Sequence, residues 1–113
     1  MWKFWRKRTT EEMRNDAYIV YSEWGPQLRI PREKRLERKF PRVDASTRQC
    51  WIDDFKAVEK TVWCLAEQGG GKAFTRESFA KTVLEAHPWM DQKSIERVRF
   101  LTSYFAWHEG YDK

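Results

Sequence analysis

The chain has 113 residues, a formal net charge of +5 at pH 7, and seven Trp, seven Phe and four Tyr. This length predicts one domain over residues 1–113, large enough to bury a core without metals or disulfides. A charged fraction of 35% is typical of disordered chains, but such chains are poor in aromatic residues, so we predict a folded protein. The apolar runs are short, which excludes a segment of the roughly 20 apolar residues that cross a bilayer.

The first eight residues mix basic and aromatic side chains. They lack the apolar stretch and the small-residue cleavage site of a secretory signal, so we expect a cytoplasmic protein in which residues 1–8 form a mobile or docking segment. Cys50 and Cys64 fall in one predicted helix and are separated along it by about 21 Å, too far for a disulfide. We expect both to be free, buried thiols, in keeping with a reducing compartment.

Helix signals occur along the whole chain, whereas the alternation typical of strands is nearly absent. Thr9 and Glu12 have the spacing of a capping box, and apolar residues follow at helical spacing until Gly25 and Pro26. We therefore predict a first helix over residues 10–24.

A second helix, short and highly charged, begins at Pro31, which suits a first helical position, and ends before Pro41. Ser46 opens a second capping box, so we predict a long third helix from Ser46 to Gln68, where three glycines interrupt the pattern. The apolar arc of this helix is the broadest in the chain, which places the helix at the centre of the domain. The arc consists of Trp51, Phe55, Val58, Val62, Leu65 and Ala66, widened by Ile52 and Trp63.

Two further helices complete the pattern. Thr75 is a candidate N-cap for a fourth helix that ends near His87, and Asp91 caps a fifth helix over residues 92–109, which Gly110 ends. We therefore predict an all-α fold, a compact bundle of about five helices packed orthogonally rather than as a coiled coil. No internal repeat or low-complexity linker divides it.

The sequence offers little metal-binding or phosphate-binding chemistry. The three glycines before Lys72 lack the flanking Gly and Ser/Thr of a phosphate-binding loop, since those positions hold Ala66 and Ala73, so we predict a flexible interhelical turn there. His87 and His108 stand in no metal-ligand spacing, and we predict no metal and no cofactor.

Catalytic side chains are equally hard to find. Asp53 and Asp54 are neighbours on a helix and point about 100° apart, so they do not form a working carboxylate pair. His87 lies near a helix C-terminus, where a positive charge is favourable for reasons unrelated to catalysis. We expect a protein that is not an enzyme and has no small-molecule substrate.

The net positive charge comes entirely from the first half of the chain. Residues 1–49 carry 13 Lys or Arg against 7 Asp or Glu, and residues 50–113 carry 9 against 10. A basic half attracts anionic partners such as nucleic acid. Ion pairs with Glu33 and Glu37 support a plainer interpretation, a solvated helix face. The candidate nucleic-acid contacts are Arg32, Arg35, Arg38, Lys39 and Arg42.

The segment from Thr75 to Gly110 has a helix-turn-helix order, which adds a second route to nucleic-acid binding. Its turn over residues 87–91 is longer than the three to four residues of that motif, and the surrounding half is not basic. A plain packing hairpin is therefore the favoured interpretation.

The last helix carries aromatic residues on the side opposite its core stripe. Phe100, Tyr104 and Trp107 cluster there among Lys93, Glu96 and Arg97, where a simple surface helix is polar. Aromatic residues and Arg dominate the energetics of protein interfaces. The core stripe consists of Ile95, Val98, Leu101, Thr102 and Phe105.

The aromatic residues on this second face need another surface packed against them. The sequence leaves two alternatives, the N-terminal segment containing Trp2, Phe4 and Trp5, or a partner protein. We predict a non-catalytic protein-interaction module, with a homodimer as one form, that uses the last helix and the N-terminal segment. The rival prediction is a nucleic-acid-binding protein that uses the basic half.

Overall fold

A computed structural model describes residues 9–23 and 29–113, and over these ranges the chain forms five α-helices and no strand. The all-α bundle predicted from the sequence is confirmed. A short 3-10 turn at Gly70–Lys72, here called the glycine turn, lies between the third and fourth helices. The helices α1 to α5 span Thr10–Tyr21, Arg32–Lys39, Ala45–Glu67, Arg76–Ala86 and Gln92–Glu109. None of these described helices is long and apolar enough to span a membrane.

Helix α1 begins as predicted and ends earlier. The Thr9 hydroxyl accepts from the Glu12 amide at 3.0 Å, and the Glu12 carboxylate accepts from the Thr9 amide at 3.1 Å, which completes the capping box. The helix stops at Tyr21 rather than at residue 24. At its end, the amide and the hydroxyl of Ser22 both donate to the Tyr18 carbonyl, at 2.9 and 2.7 Å.

Helix α3 begins at a different cap from the one predicted. The N-cap is Asp44, whose Oδ1 atom accepts from the Thr47 amide at 2.8 Å and from the Ser46 hydroxyl at 3.1 Å. These hydrogen bonds, above all the one from the Thr47 amide, lower the pKa of the Asp44 carboxyl. Ser46 is therefore a residue of the first turn that supports the cap rather than the cap itself.

The boundaries of α4 and α5 follow the predicted caps, whereas Pro31 is the N-cap of α2 rather than its first residue. The Thr75 hydroxyl accepts from the Ser78 amide at 3.0 Å, and Asp91 Oδ1 accepts from the Ser94 amide at 2.9 Å. Helix α5 ends at Gly110, whose φ of +78° is a left-handed conformation that only glycine adopts without strain. The N-terminal caps of the last two helices thus depend on hydrogen bonds between residues three positions apart.

The core forms where α1, α3 and α5 meet. The side chains predicted to form the apolar arc of α3 are buried, apart from Trp63, which is 39% exposed. The Phe55 ring lies 5.5 Å from the Tyr18 ring and 5.9 Å from the Trp89 ring, measured between centroids. Asn15 joins α1 to the start of α5, since its amide donates to the Trp89 carbonyl at 2.8 Å and accepts from the Asp91 amide at 2.9 Å.

The glycine turn packs closely against α5. A Cβ atom on Gly70 would stand 2.8 Å from the Cβ of Ala106 and 3.2 Å from the Thr102 carbonyl oxygen, and one on Gly71 would stand 2.9 Å from the Ser103 hydroxyl. The sequence predicts a flexible link between helices. In the structure, the absence of a side chain on glycine instead allows the backbone of the turn to pack closely against α5.

Three side chains lie in environments other than those predicted. Cys50 and Cys64 are free thiols, as predicted, but both are exposed rather than buried. His87 is buried, and burial lowers the pKa of its imidazole against a smaller opposing effect of Asp54. The protonated form is thus disfavoured at this position, although the helix C-terminus alone favours it.

Candidate interaction face

Helix α5 has one buried face and one exposed face. On the buried face, Ile95, Val98, Leu101 and Thr102 lie in the core, as predicted, and Phe105 is half-buried. On the other side, Phe100 is 59% exposed and Trp107 is 65% exposed. Large rings rarely cluster on a solvated helix face, because they leave contiguous apolar surface in water.

The exposed face is a straight line of side chains along α5. Its members follow one another at alternating spacings of four and three residues, the spacing that keeps side chains in register along one side of a helix. Lys93 is exposed, and Arg97 and Tyr104 are half-buried. We call this line the α5 seam, and it consists of Lys93, Arg97, Phe100, Tyr104 and Trp107.

The seam continues sideways onto α3 through ring contacts. The Tyr104 ring lies 6.1 Å from the Trp107 ring and 5.5 Å from the Phe105 ring. Phe105 in turn stacks on Trp63 of α3 at 4.3 Å. The sequence assigns Trp63 to the core arc of α3, but the structure places it at the edge of this exposed aromatic surface.

A small cavity of about 130 Å³ opens beside the Trp63 and Phe105 rings. Its walls include the apolar side chains of Val62 and Leu101, and its rim includes Glu59. The cavity is the size of one side chain, since a cavity of roughly 150 Å³ accommodates a benzene ring. Sequence reasoning missed it because its walls come from four helices that are distant in the chain.

The polar side of this cavity is organised by Glu59. Its carboxylate accepts from the Arg32 guanidinium at 2.9 Å and from the Tyr21 hydroxyl at 3.3 Å. The Arg32 guanidinium also lies over the Tyr21 ring, 4.7 Å from its centroid. Burial raises the pKa of the Tyr21 phenol, and raises that of Tyr18 further, so both remain neutral hydroxyls at ordinary pH.

Arg97 is the member of the seam that the fold itself uses. Its Nη1 atom donates to the Ile19 carbonyl at 3.2 Å and to the Ser22 hydroxyl at 2.9 Å. This side chain therefore ties α5 to the end of α1 at one edge of the seam. Lys93 makes no such contact and stands exposed one turn earlier.

The two N-terminal tryptophans proposed to act with the seam, Trp2 and Trp5, lie outside the described residues. Helices α1 and α5 run in the same direction, because Asn15 bonds to the start of α5 and Ser22 bonds to Arg97 further along it. The chain therefore enters α1 at the end of the bundle away from Trp107.

The candidate nucleic-acid contacts divide into two groups. Arg32 is engaged with Glu59 and Tyr21, and Arg35 is only 4% exposed. The Arg35 guanidinium donates to the carbonyls of Ile30 at 3.0 Å, Tyr21 at 3.3 Å and Glu23 at 3.2 Å. Its donors thus satisfy backbone acceptors at the end of α1 and before α2, and we exclude Arg35 from any contact surface.

The second group remains accessible. Arg38, Lys39 and Arg42 are exposed, and none of them forms an ion pair with another described residue. Lys34 and Glu37 form the intrahelical pair expected from their spacing, at 3.3 Å. The basic surface is therefore narrower than the sequence indicates.

Within the described residues, no three His, Cys, Asp or Glu side chains approach closely enough to hold a metal ion. No protein family, curated protein or solved structure matches this chain. Function therefore has to be inferred from the arrangement of the side chains themselves.

Proposed function

We propose that this protein is a non-catalytic interaction domain that binds a protein partner through the α5 seam and the adjoining Trp63 and Phe105 rings. The observation that carries the proposal is the exposure of Phe100 and Trp107, 59% and 65%, on a helix whose opposite face is buried. Burying such rings against a partner removes apolar area from water at about 25 cal/mol per Å².

The composition of the face supports the same function. Aromatic side chains and Arg are typical of the interface residues whose truncation costs the most binding free energy. The cavity beside Trp63 and Phe105 offers a receptor for one side chain of a partner, the arrangement in which such residues pair across an interface.

Site-specific photo-crosslinking followed by reconstitution tests the proposal. A photoreactive phenylalanine in place of Phe100 or Trp107 should yield a defined covalent adduct in extracts of the source cells, and the same probe in place of Leu84 should not. Leu84 is a matched control because it is an exposed apolar residue, 39% accessible, on α4 rather than in the seam. The adduct identifies the partner, which is then purified for titration.

The titration compares the unmodified chain with the double variant Phe100→Ala, Trp107→Ala. We expect the double variant to bind at least ~30-fold more weakly, about 2 kcal/mol, while its helicity and unfolding midpoint stay close to those of the unmodified chain. Equal adduct yields at the seam and at Leu84 contradict the proposal. So does a large loss of stability in the double variant, because the rings would then belong to the chain's own core.

Nucleic-acid binding is a second candidate, favoured by one observation. Arg38, Lys39 and Arg42 are exposed at the end of α2 and just beyond it, without ion pairs to other described residues, and such cations release counterions when they contact phosphate. Only three of the five predicted cations remain available to contact phosphate, so nucleic-acid binding is the weaker candidate. The dependence of binding affinity on salt concentration tests it.

A further inference from the structure

The α5 seam is symmetric about its middle residue. Lys93 lies seven residues before Phe100 and Trp107 lies seven residues after it, so each stands two helical turns, about 10.5 Å, from the centre. Arg97 and Tyr104 occupy the positions between. When the seam is turned end for end, its five positions superimpose on themselves to within one residue.

The two halves of the seam differ in chemistry. The half toward the start of α5 carries the cations Lys93 and Arg97, and the half toward its end carries the rings of Tyr104 and Trp107. Cations are attracted to the faces of aromatic rings, most strongly to that of Trp. The seam therefore complements a reversed copy of itself.

From this complementarity we infer that the partner is a second copy of this chain, bound by antiparallel pairing of the two α5 seams. The inference rests on the proposed function, because it uses the same face. Phe100 packs against Phe100 of the second copy on a two-fold axis, and each Lys93 lies over Trp107 of the other copy. Parallel pairing is disfavoured because it places Lys93 against Lys93 and Arg97 against Arg97.

The arrangement also makes use of contacts already present within one chain. Arg97 is held beside the seam by Ile19 and Ser22, so its side chain is positioned before association. Antiparallel pairing further sets the positive end of each helix dipole beside the negative end of the other. The dipole effect favours the reversed arrangement over the parallel one.

The exposed rings contribute only a small apolar area to the proposed interface. Phe and Trp side chains bury about 150 to 250 Å² each, so the exposed parts of Phe100 and Trp107 amount to roughly 250 Å² per copy. With the rest of the seam and its rim, the interface lies at the low end of the range for specific complexes. We therefore expect a weak dimer, with a dissociation constant of roughly 1 to 100 µM.

Sedimentation equilibrium on the purified chain, between about 1 and 500 µM, tests this inference through an exchange of charges at positions 93 and 107. Trp107→Lys places two cations opposite each other, and Lys93→Glu removes the cation that faces Trp107. Each single variant should weaken the dimer at least ~10-fold. The combination Lys93→Glu, Trp107→Lys should bind at least ~3-fold more tightly than Trp107→Lys alone, because Glu and Lys then pair between copies although the Trp107 ring is lost.

The rescue is specific to the antiparallel dimer. Residues 93 and 107 of one chain are about 21 Å apart along α5 and cannot pair with each other. Lys81→Glu is the matched control, since Lys81 is an exposed lysine on α4 rather than in the seam, and it should leave the dimer unchanged. Circular dichroism of every variant verifies that the helices persist.

Several outcomes overturn the inference. A chain that stays monomeric to 500 µM excludes the dimer, and additive weakening in the double variant excludes the antiparallel register. The chain could stay monomeric while a photoreactive residue at position 107 forms a specific adduct with a different protein. That result excludes the dimer and leaves the proposed function standing. A monomer without any seam-specific adduct overturns both.

Discussion

The Nε2 atom of His87 lies 2.8 Å from the Oγ1 atom of Thr61, and this contact ties the loop between α4 and α5 to the central helix α3. The imidazole is 7% exposed, and burial lowers its pKa below the ordinary value of 6.5. Folding therefore favours the neutral ring over the protonated one.

This linkage predicts a loss of stability in mild acid. Because the folded-state pKa of His87 is depressed, the stabilisation is fully present above about pH 6.5 and is lost as the pH falls below that value, where the unfolded chain takes up the proton first. His87→Gln keeps a polar group near Thr61 but does not titrate. In urea titrations at pH 7.5 and pH 5, the unmodified chain should lose more stability than His87→Gln, and equal losses contradict the assignment.

Gly70→Ala should destabilise the protein by about 2 to 4 kcal/mol. The new Cβ meets Ala106 and the Thr102 carbonyl, and Gly70 has a φ of +60° that side chains rarely adopt. Gly110→Ala is the control, because Gly110 has a φ of +78° but no atom within 4 Å of the added Cβ. It should cost only about 1 kcal/mol, the conformational part alone. Equal costs by denaturant titration indicate that the glycine turn is not packed against α5.

Arg35→Met should cost about 2 to 4 kcal/mol, because the carbonyls of Tyr21, Glu23 and Ile30 lose their donor. Arg38→Met, on the exposed side of the same helix, should change stability by less than about 0.5 kcal/mol. The comparison uses the free energy of unfolding by urea at neutral pH. A small effect at Arg35 contradicts its role as the anchor of the α1 end.

Phe55→Ala should cost about 3 to 5 kcal/mol, because the ring is completely buried between Tyr18, Tyr21 and Trp89. Leu84→Ala, at an exposed position of α4, should cost less than about 1 kcal/mol. A loss of less than about 1 kcal/mol in the free energy of unfolding on Phe55→Ala contradicts the position of Phe55 in the core.

The nucleic-acid candidate makes a prediction of its own. If Arg38, Lys39 and Arg42 contact phosphates, replacing all three by Gln should reduce the slope of log affinity against log salt by up to about 3. Replacing Lys56, Lys60 and Lys81 by Gln removes the same charge from exposed positions in the neutral half and should leave that slope nearly unchanged. Undetectable binding to single- and double-stranded DNA and RNA at ~50 mM salt eliminates this candidate.

Features that depend on neighbours in sequence were predictable. The caps at Thr9, Thr75 and Asp91 were correctly identified, because a capping hydrogen bond joins residues three positions apart and needs nothing else. The buried arc of α3 around Phe55 was equally predictable, because helical periodicity alone brings those side chains to one face. The α5 seam was identified from the same periodicity.

Features that depend on distant segments were decided by the tertiary structure. Arg35 has the pattern of a surface cation, but the end of α1 and the segment before α2 surround it, and their carbonyls require its donors. Trp63 belongs by periodicity to the core arc, yet only the position of Phe105 on α5 determines that it stacks at an exposed edge. Periodicity names the side of a helix on which a residue lies, whereas burial depends on which other segment packs against that side.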